Sequence, residues 1–228
     1  MFRLTTLTTL LLLLQFFEKP VSACAIGGRA SDDFIIGNDP PADPATIGYT
    51  INHFSLVANN ITASVDFYGR ILGMRHVFTF HASPEYQVTY LGHSQGGKNG
   101  TGYQTGEELL REKTNTGGLI ELLYFKGTNG TIEASTRSPN TFGHVGLIVP
   151  DIQATQSRME DNGVNILKRV GEDLAVEDGP VARAFGLGGD VESARVAALA
   201  GIRGIGFNGF LIITDPDGNL IEVQPQTS

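Results

Sequence analysis

The chain carries one pattern twice. His53, Leu56, Ile61 and Ala63 recur as His144, Leu147, Ile152 and Ala154, each 91 positions later. Gly118-Leu119-Ile120-Glu121-Leu122 recurs as Asn219-Leu220-Ile221-Glu222-Val223, and here the offset is 101. Ten extra residues therefore fall within the second copy, where a Gly- and Ala-rich stretch occupies 179–206. A duplication of this length fixes the repeating unit before any single element is assigned. Each copy offers one histidine on its opening strand and one glutamate on its closing strand.

The periodicities give the unit its order. The stretch 142–152 is apolar on both faces, with His144 its one titratable side chain until Pro150 and Asp151 end and turn it. The counterpart at His53 leads to a helix that Thr62 is placed to cap. Val65, Phe67, Tyr68 and Ile71 line its apolar side, Asp66 and Arg70 lie outside, and Gly73 stops it. Strand signals follow at 75–80 and 86–91, then a polar loop over 92–116, then the Glu121 strand. The second copy predicts a helix over 152–162 closed by Gly163 and a strand over 165–170. After the inserted stretch, with a short helix over 191–200, come a strand at 208–214, a turn at Asp215-Pro216-Asp217-Gly218 and a closing strand at 220–224. The fold class is α+β: two βαβββ modules, about 49–127 and 141–226, in one domain over 49–226.

Residues 1–25 read as a signal peptide. Arg3 supplies the positive end and 7–17 the apolar stretch, while Val21-Ser22-Ala23 or Ala23-Cys24-Ala25 supplies a small-residue cleavage site. The run is too short, and too interrupted by Thr, Gln15 and Glu18, for a transmembrane helix. Cys24 is the only cysteine, which excludes an intrachain disulfide. Residues 26–48 read as an irregular arm. Asn60, Asn99 and Asn129 each open an N-x-Thr sequon, so a secreted, extracellular glycoprotein is expected. A formal charge of −8 argues against nucleic acid or an anionic membrane as the main partner.

Several segments together carry a resemblance: Ser64-Val65-Asp66-Phe67-Tyr68 and Leu72-Gly73-Met74 after His53, Leu119-Ile120-Glu121, Phe142-Gly143-His144-Val145-Gly146, and Asp215-Pro216-Asp217-Gly218 running into Ile221-Glu222. Over roughly 50–226 the chain resembles the vicinal oxygen chelate (glyoxalase/bleomycin resistance/extradiol dioxygenase) superfamily. Within it the chain is most similar to the glyoxalase I (lactoylglutathione lyase) family. That resemblance implies a cupped mixed sheet with helices outside, around one divalent metal held by His53, Glu121, His144 and Glu222. Zn²⁺ is the first expectation, with Ni²⁺, Co²⁺ or Fe²⁺ as alternatives, since two imidazoles and two carboxylates suit all four. The implied reaction isomerises a hemithioacetal of a 2-oxoaldehyde through an enediolate, with Glu222 as the base and Glu121 in support. The implied partners are a small-molecule substrate, a thiol adduct among the candidates, and a second copy of the chain in a homodimer. Nucleic acid and stable membrane insertion are not expected.

The chain departs from the family at positions that bind glutathione carboxylates. Val57 stands four residues after His53 and Asn140 four before His144, where the family has basic residues, and Leu122-Leu123-Tyr124 lacks its usual polar side chains. Lys126, Arg137, Arg183 and Arg203 are the cations available to substitute. The function readings are therefore a glyoxalase I-like lyase, another enzyme of the superfamily such as an epimerase or extradiol dioxygenase, and a non-catalytic secreted small-molecule-binding protein. The fourth ligand candidate, Glu121, counts against a dioxygenase.

Overall fold

The computed structural model describes residues 36–226, apart from Lys98, Asn99, Thr101, Asn129, Ser135, Ser138, Pro139, Val176, Asp190, Val191 and Ile205. The expected signal peptide with Cys24, the first part of the expected arm, and sequon residues Asn99 and Asn129 lie outside the described residues.

Each module is a four-stranded mixed sheet. In the first, β1 (His53–Val57) runs parallel to β4 (Leu119–Phe125), which pairs antiparallel with β3 (Tyr86–Gly92), and β3 with β2 (Arg75–His81). The second repeats this order with β5 (Val145–Val149), β8 (Leu220–Pro225), β7 (Leu211–Thr214) and β6 (Ile166–Lys168). After β1 comes α1 (Ile61–Asp66), extended by a π-turn over Phe67–Ile71, and after β5 comes α3 (Ile152–Asp161). Phe67, Tyr68 and Ile71, with Ser64 a turn earlier, share the inner face of this helix and are buried. Gly73 ends this helix in the left-handed region at φ +80°, where a side chain would be strained.

Alternation along the strands sorts the two faces of each sheet. Leu56, Leu91, Ile120 and Leu122 of the first module share one core with Leu211, Ile213, Ile221 and Val223 of the second, beneath Phe67, Tyr68, Ile71 and Met159 of the helices. Full burial of each such side chain contributes roughly 1.5–3 kcal/mol. The opposite faces carry separate clusters. Val77, Tyr90 and Leu119 pack under Leu109 in the first sheet, and Ile212 and Leu220 pack under Ala184, Phe207 and Ile202 in the second.

Polar contacts also tie module to module. The Tyr68 hydroxyl donates to Asp215 at 2.9 Å, the Asn59 amide to Asp217 at 3.1 Å, and Arg158 to the carbonyls of Ile71 and Arg70 at 2.8 and 2.6 Å. No helix among the described residues is long and apolar enough to cross a membrane.

Local details correct the sequence reading. Asn60, not Thr62, caps α1: its Oδ1 accepts from the Ala63 amide at 3.1 Å, which fixes the helix start two residues earlier. The expected loop over 92–116 contains α2 (Gly106–Glu112), opened by a reciprocal capping box between Thr105 and Glu108. The inserted stretch folds as two helices, α4 (Pro180–Ala184) and α5 (Glu192–Arg203). A 3₁₀ turn over Phe207–Gly209 delays the start of β7 to Leu211.

Candidate metal centre

The strand alternation that buries Ile120 and Leu122 turns Glu121 to the other face of its sheet, and the parallel register of β1 and β4 sets His53 on that face too. His53 Nε2 lies 3.6 Å from Glu121 Oε2. The register of β3 against β4 puts Tyr90 opposite Glu121. Its hydroxyl is 3.3 Å from His53 Nε2 and hydrogen bonds the Glu121 carboxylate. Burial first, and then the hydrogen bond and charge of Glu121, push this hydroxyl up to about 12, so it remains a donor across the neutral range. The Tyr90 ring meets His53 edge-on at 5.2 Å, stacks on Phe78 at 4.8 Å, and carries the Lys113 ammonium 4.6 Å above it. On the other side of the imidazole, Nδ1 lies 3.0 Å from Asn52 Oδ1.

The second module rebuilds the pair with different supports. Ile221 and Val223 face the shared core, so Glu222 faces the cover formed by the insertion. His144, one residue before β5, points Nε2 at Glu222 Oε2 across 3.9 Å. Where Tyr90 faces Glu121, the fully buried Ile212 faces Glu222, and the Glu222 side chain is only 9% exposed. Gln224, two residues on and on the same face, donates to Glu222 Oε1. The His144 ring stacks on Phe185, and its buried Nδ1 makes no hydrogen bond among the described residues.

Two ligands on one small divalent ion, each bonded at about 2.0–2.2 Å, stand somewhat more than 3 Å apart. Each His–Glu pair is near that separation, each turns an imidazole nitrogen towards an acceptor-only carboxylate, and the donor set suits Zn²⁺-type chemistry. The structure gathers the four residues as two pairs. Among the described residues no three His, Cys, Asp or Glu side chains converge.

The residues at the departures fall out as follows. Val57 lies on the His53 face of β1 and is exposed, leaving an apolar position beside the pair. Arg183 pairs with Asp178 at 3.4 Å and Arg203 with Asp173 at 3.1 Å. The cation beside the first pair is Lys113, which makes no ion pair among the described residues. Sequence reasoning missed it, together with Tyr90, Asn52, Gln224 and Phe185. For Gln224, alternation from Glu222 was a usable signal; for Tyr90 the sequence held none without the strand register. A cleft of about 870 Å³ opens between the modules, walled by Phe54, Tyr68, Ile120, Leu147, Met159 and Ile221. These walls include the neighbours of His53, Glu121 and Glu222 on the reverse strand faces, so of the four only His144 reaches the cleft.

A family model described as the Glyoxalase/Bleomycin resistance protein/Dioxygenase superfamily matches residues 50–175, a span that includes His53, Glu121 and His144 and ends before Glu222. The chain is 28% identical over 130 residues to a lactoylglutathione lyase of Pseudomonas aeruginosa, covering 55% of this chain and 72% of that protein. It is 27% identical over 136 residues to a lactoylglutathione lyase of Pseudomonas putida, covering 58% and 77%. The trypanothione-dependent glyoxalase I of Leishmania major superposes at a TM-score of 0.46 with 18% identity, covering 78% of this chain and 87% of that one.

Proposed function

The chain belongs to the Glyoxalase/Bleomycin resistance protein/Dioxygenase superfamily, and on that footing we propose that it is a metal-dependent, glyoxalase I-like lyase that isomerises the hemithioacetal of a 2-oxoaldehyde. The observation that carries the reading is the repeated pair: in each module a histidine Nε2 faces the carboxylate of its own closing strand, on the sheet face turned away from the shared core. His53 with Glu121 and His144 with Glu222 would hold one divalent ion, Zn²⁺ first. When bound, the ion supplies Lewis acidity that stabilises negative charge on the substrate oxygens.

The chain's own groups do the rest. Glu222, enclosed by Ile212 and held by Gln224, takes the proton from the carbon bearing sulfur and hydroxyl and returns it to the neighbouring carbon. That transfer turns a hemithioacetal into a 2-hydroxy thioester with no net gain or loss of atoms. Glu121 supports, oriented by the Tyr90 hydroxyl. Val57 in place of a basic residue, with Lys113 over Tyr90, favours a thiol adduct carrying fewer carboxylates than a glutathione adduct. Secretion and N-glycosylation complete the proposal.

The test is a steady-state assay of the purified chain, metal-loaded, on hemithioacetals of one 2-oxoaldehyde with glutathione and with an uncharged thiol. Thioester formation that chelation abolishes and metal restores is expected, faster with the uncharged adduct. A metal-loaded chain inert towards both would sink the lyase reading. The apolar cleft between the modules favours a second reading, a non-catalytic binder of an apolar small molecule. Purified protein that binds such a ligand but takes up no stoichiometric metal would select it.

A further inference from the structure

We infer that Asn52 is a positioning residue: its side-chain amide fixes the neutral His53 ring as the Nδ1–H tautomer and leaves the Nε2 lone pair facing Glu121. Only one amide orientation satisfies the surroundings of Asn52. Its nitrogen lies 2.7 Å from the Lys113 carbonyl and 2.6 Å from the Thr116 carbonyl. Both are acceptors, so this atom is the NH₂ group. Oδ1 is then the atom 3.0 Å from His53 Nδ1, and it can only accept. The ring proton therefore sits on Nδ1. On the other side, the Tyr90 hydroxyl lies 3.3 Å from Nε2 but has one proton for both Nε2 and the Glu121 carboxylate, so the tautomer is set by Asn52.

The second module has no such device. The residue before His144 is Gly143, which brings no side chain to the ring, and the buried His144 Nδ1 has no hydrogen-bond partner among the described residues. Stacking on Phe185 fixes the plane of that ring but not its proton. The duplicated histidines are thus unequal: the first is prepared by hydrogen bonds to present a lone pair, the second is held by packing alone. A histidine that ligates metal through one nitrogen commonly donates its other N–H to an oxygen, and losing that partner typically costs 10–100-fold in metal affinity. Asn52 adds a second service. By holding the carbonyls of Lys113 and Thr116 it ties the end of the α2 segment to the start of β1, which keeps Lys113 over Tyr90.

The use of the Nε2 lone pair for a metal rests on the function proposed above; the tautomer does not, and the experiment separates them. Long-range proton–nitrogen NMR correlations of the metal-free chain, recorded near pH 8 where an ordinary imidazole is neutral, read the tautomer directly. Loss of signals in His53→Gln assigns them. The expected wild-type result is the Nδ1–H form at His53, lost on Asn52→Ala. Thr116→Val, which removes a hydroxyl bond to the Glu112 carbonyl in the same loop, should lower the melting temperature and leave the tautomer alone. An Nε2–H ring at His53 in the wild type overturns the inference without any variant having to fold, as does an unchanged tautomer in Asn52→Ala. Zinc titration of the same proteins should show Asn52→Ala weakened about 10–100-fold. A tautomer that shifts while zinc affinity stays constant upholds Asn52 and removes His53 from the metal centre.

Discussion

The His144 ring lies nearly face to face on Phe185, centroids 4.8 Å apart and planes inclined by 26°. Phe185 in turn meets Phe207 edge-on at 5.5 Å, and Phe207 meets Phe210 at 5.2 Å. The stretch with no counterpart in the first module thus delivers an aromatic support to the second histidine. In the first module the equivalent support is polar, through Asn52 and Tyr90. The two copies keep the same chemical pair and have replaced everything around it.

Phe185→Ala should therefore act at two distances. It opens a gap under the insertion and, because the ring is partly buried, should cost about 2–4 kcal/mol, near the low end for Phe→Ala in a core. It also frees the His144 ring, so zinc affinity should fall by roughly tenfold, equivalent to about 1.4 kcal/mol. Thermal unfolding and zinc titration of the same sample check both, and Phe185→Leu should recover most of the stability but not the ring orientation. An unchanged zinc affinity in Phe185→Ala would show that stacking does not hold His144 for the ion.

The Tyr68 hydroxyl is the module-to-module bond whose loss can be read by pH. Burial holds the Asp215 carboxyl above its ordinary value, against hydrogen bonds from Asn219 and Tyr68 that lower it. A raised folded-state value favours folding at pH below the unfolded carboxylate range, and that contribution disappears as pH rises through the folded value. Tyr68→Phe removes one opposing donor and raises the folded value further. Its destabilisation should be largest at neutral pH, about 1.5–3 kcal/mol for a bond to a charged acceptor, and shrink towards about 1 kcal/mol in mild acid. Denaturant unfolding of both proteins across that range is the measurement, and a penalty that grows on acidification would contradict this account of Asp215.

Asn60 combines a cap and a sequon in one side chain. Its Oδ1 is committed to the Ala63 amide, while Nδ2, the atom a glycan joins, points from an exposed residue. Expressed through a eukaryotic secretory pathway, the chain should carry a glycosidase-sensitive mass on Asn60. Asn60→Ser should lose that mass and keep the cap at a cost of a few tenths of a kcal/mol, whereas Asn60→Ala should lose both at about 1 kcal/mol. An Asn60 found unmodified in secreted protein would remove it as an acceptor.

The strands and their two His–Glu pairs were legible because period-two alternation assigns faces and the repeat cross-checks each assignment. Glu121 and Glu222 needed only their apolar neighbours to be turned outward. Other residues were hidden for specific reasons. Thr62 and Asn60 are both good caps two positions apart, and only the Ala63 contact decides between them. α2 buries Leu109 alone, so it carries no helical stripe, and only the Thr105–Glu108 spacing announces it. Tyr90 reads as an aromatic strand residue until the register of β3 on β4 sets it against Glu121. Phe185 sits in a stretch the repeat cannot align. The expectation of a single four-residue centre came from resemblance, and the described residues hold its members as two pairs.

The separation of base from ligand at Glu222 gives the most direct test of mechanism. Oε1 accepts from Gln224 and Oε2 faces His144 Nε2, so one oxygen is anchored while the other remains for chemistry. In Glu222→Gln the side-chain oxygen is drawn to the Gln224 donor, and the new NH₂ faces His144. That change removes the base outright and weakens the ion's hold, which His53, Glu121 and His144 still share. At saturating Zn²⁺ the variant should therefore bind metal stoichiometrically yet turn over about 10²–10⁴ times more slowly, the usual cost of losing a general base. Gln224→Leu keeps the carboxylate and removes its anchor, so kcat should fall less than tenfold. Glu121→Gln should lie between the two, because the Tyr90 hydroxyl still orients the side chain there. Steady-state rates for the three variants at saturating ion rank the two carboxylates. Near-wild-type turnover in Glu222→Gln, with Glu121→Gln inactive, would transfer the base to the first module.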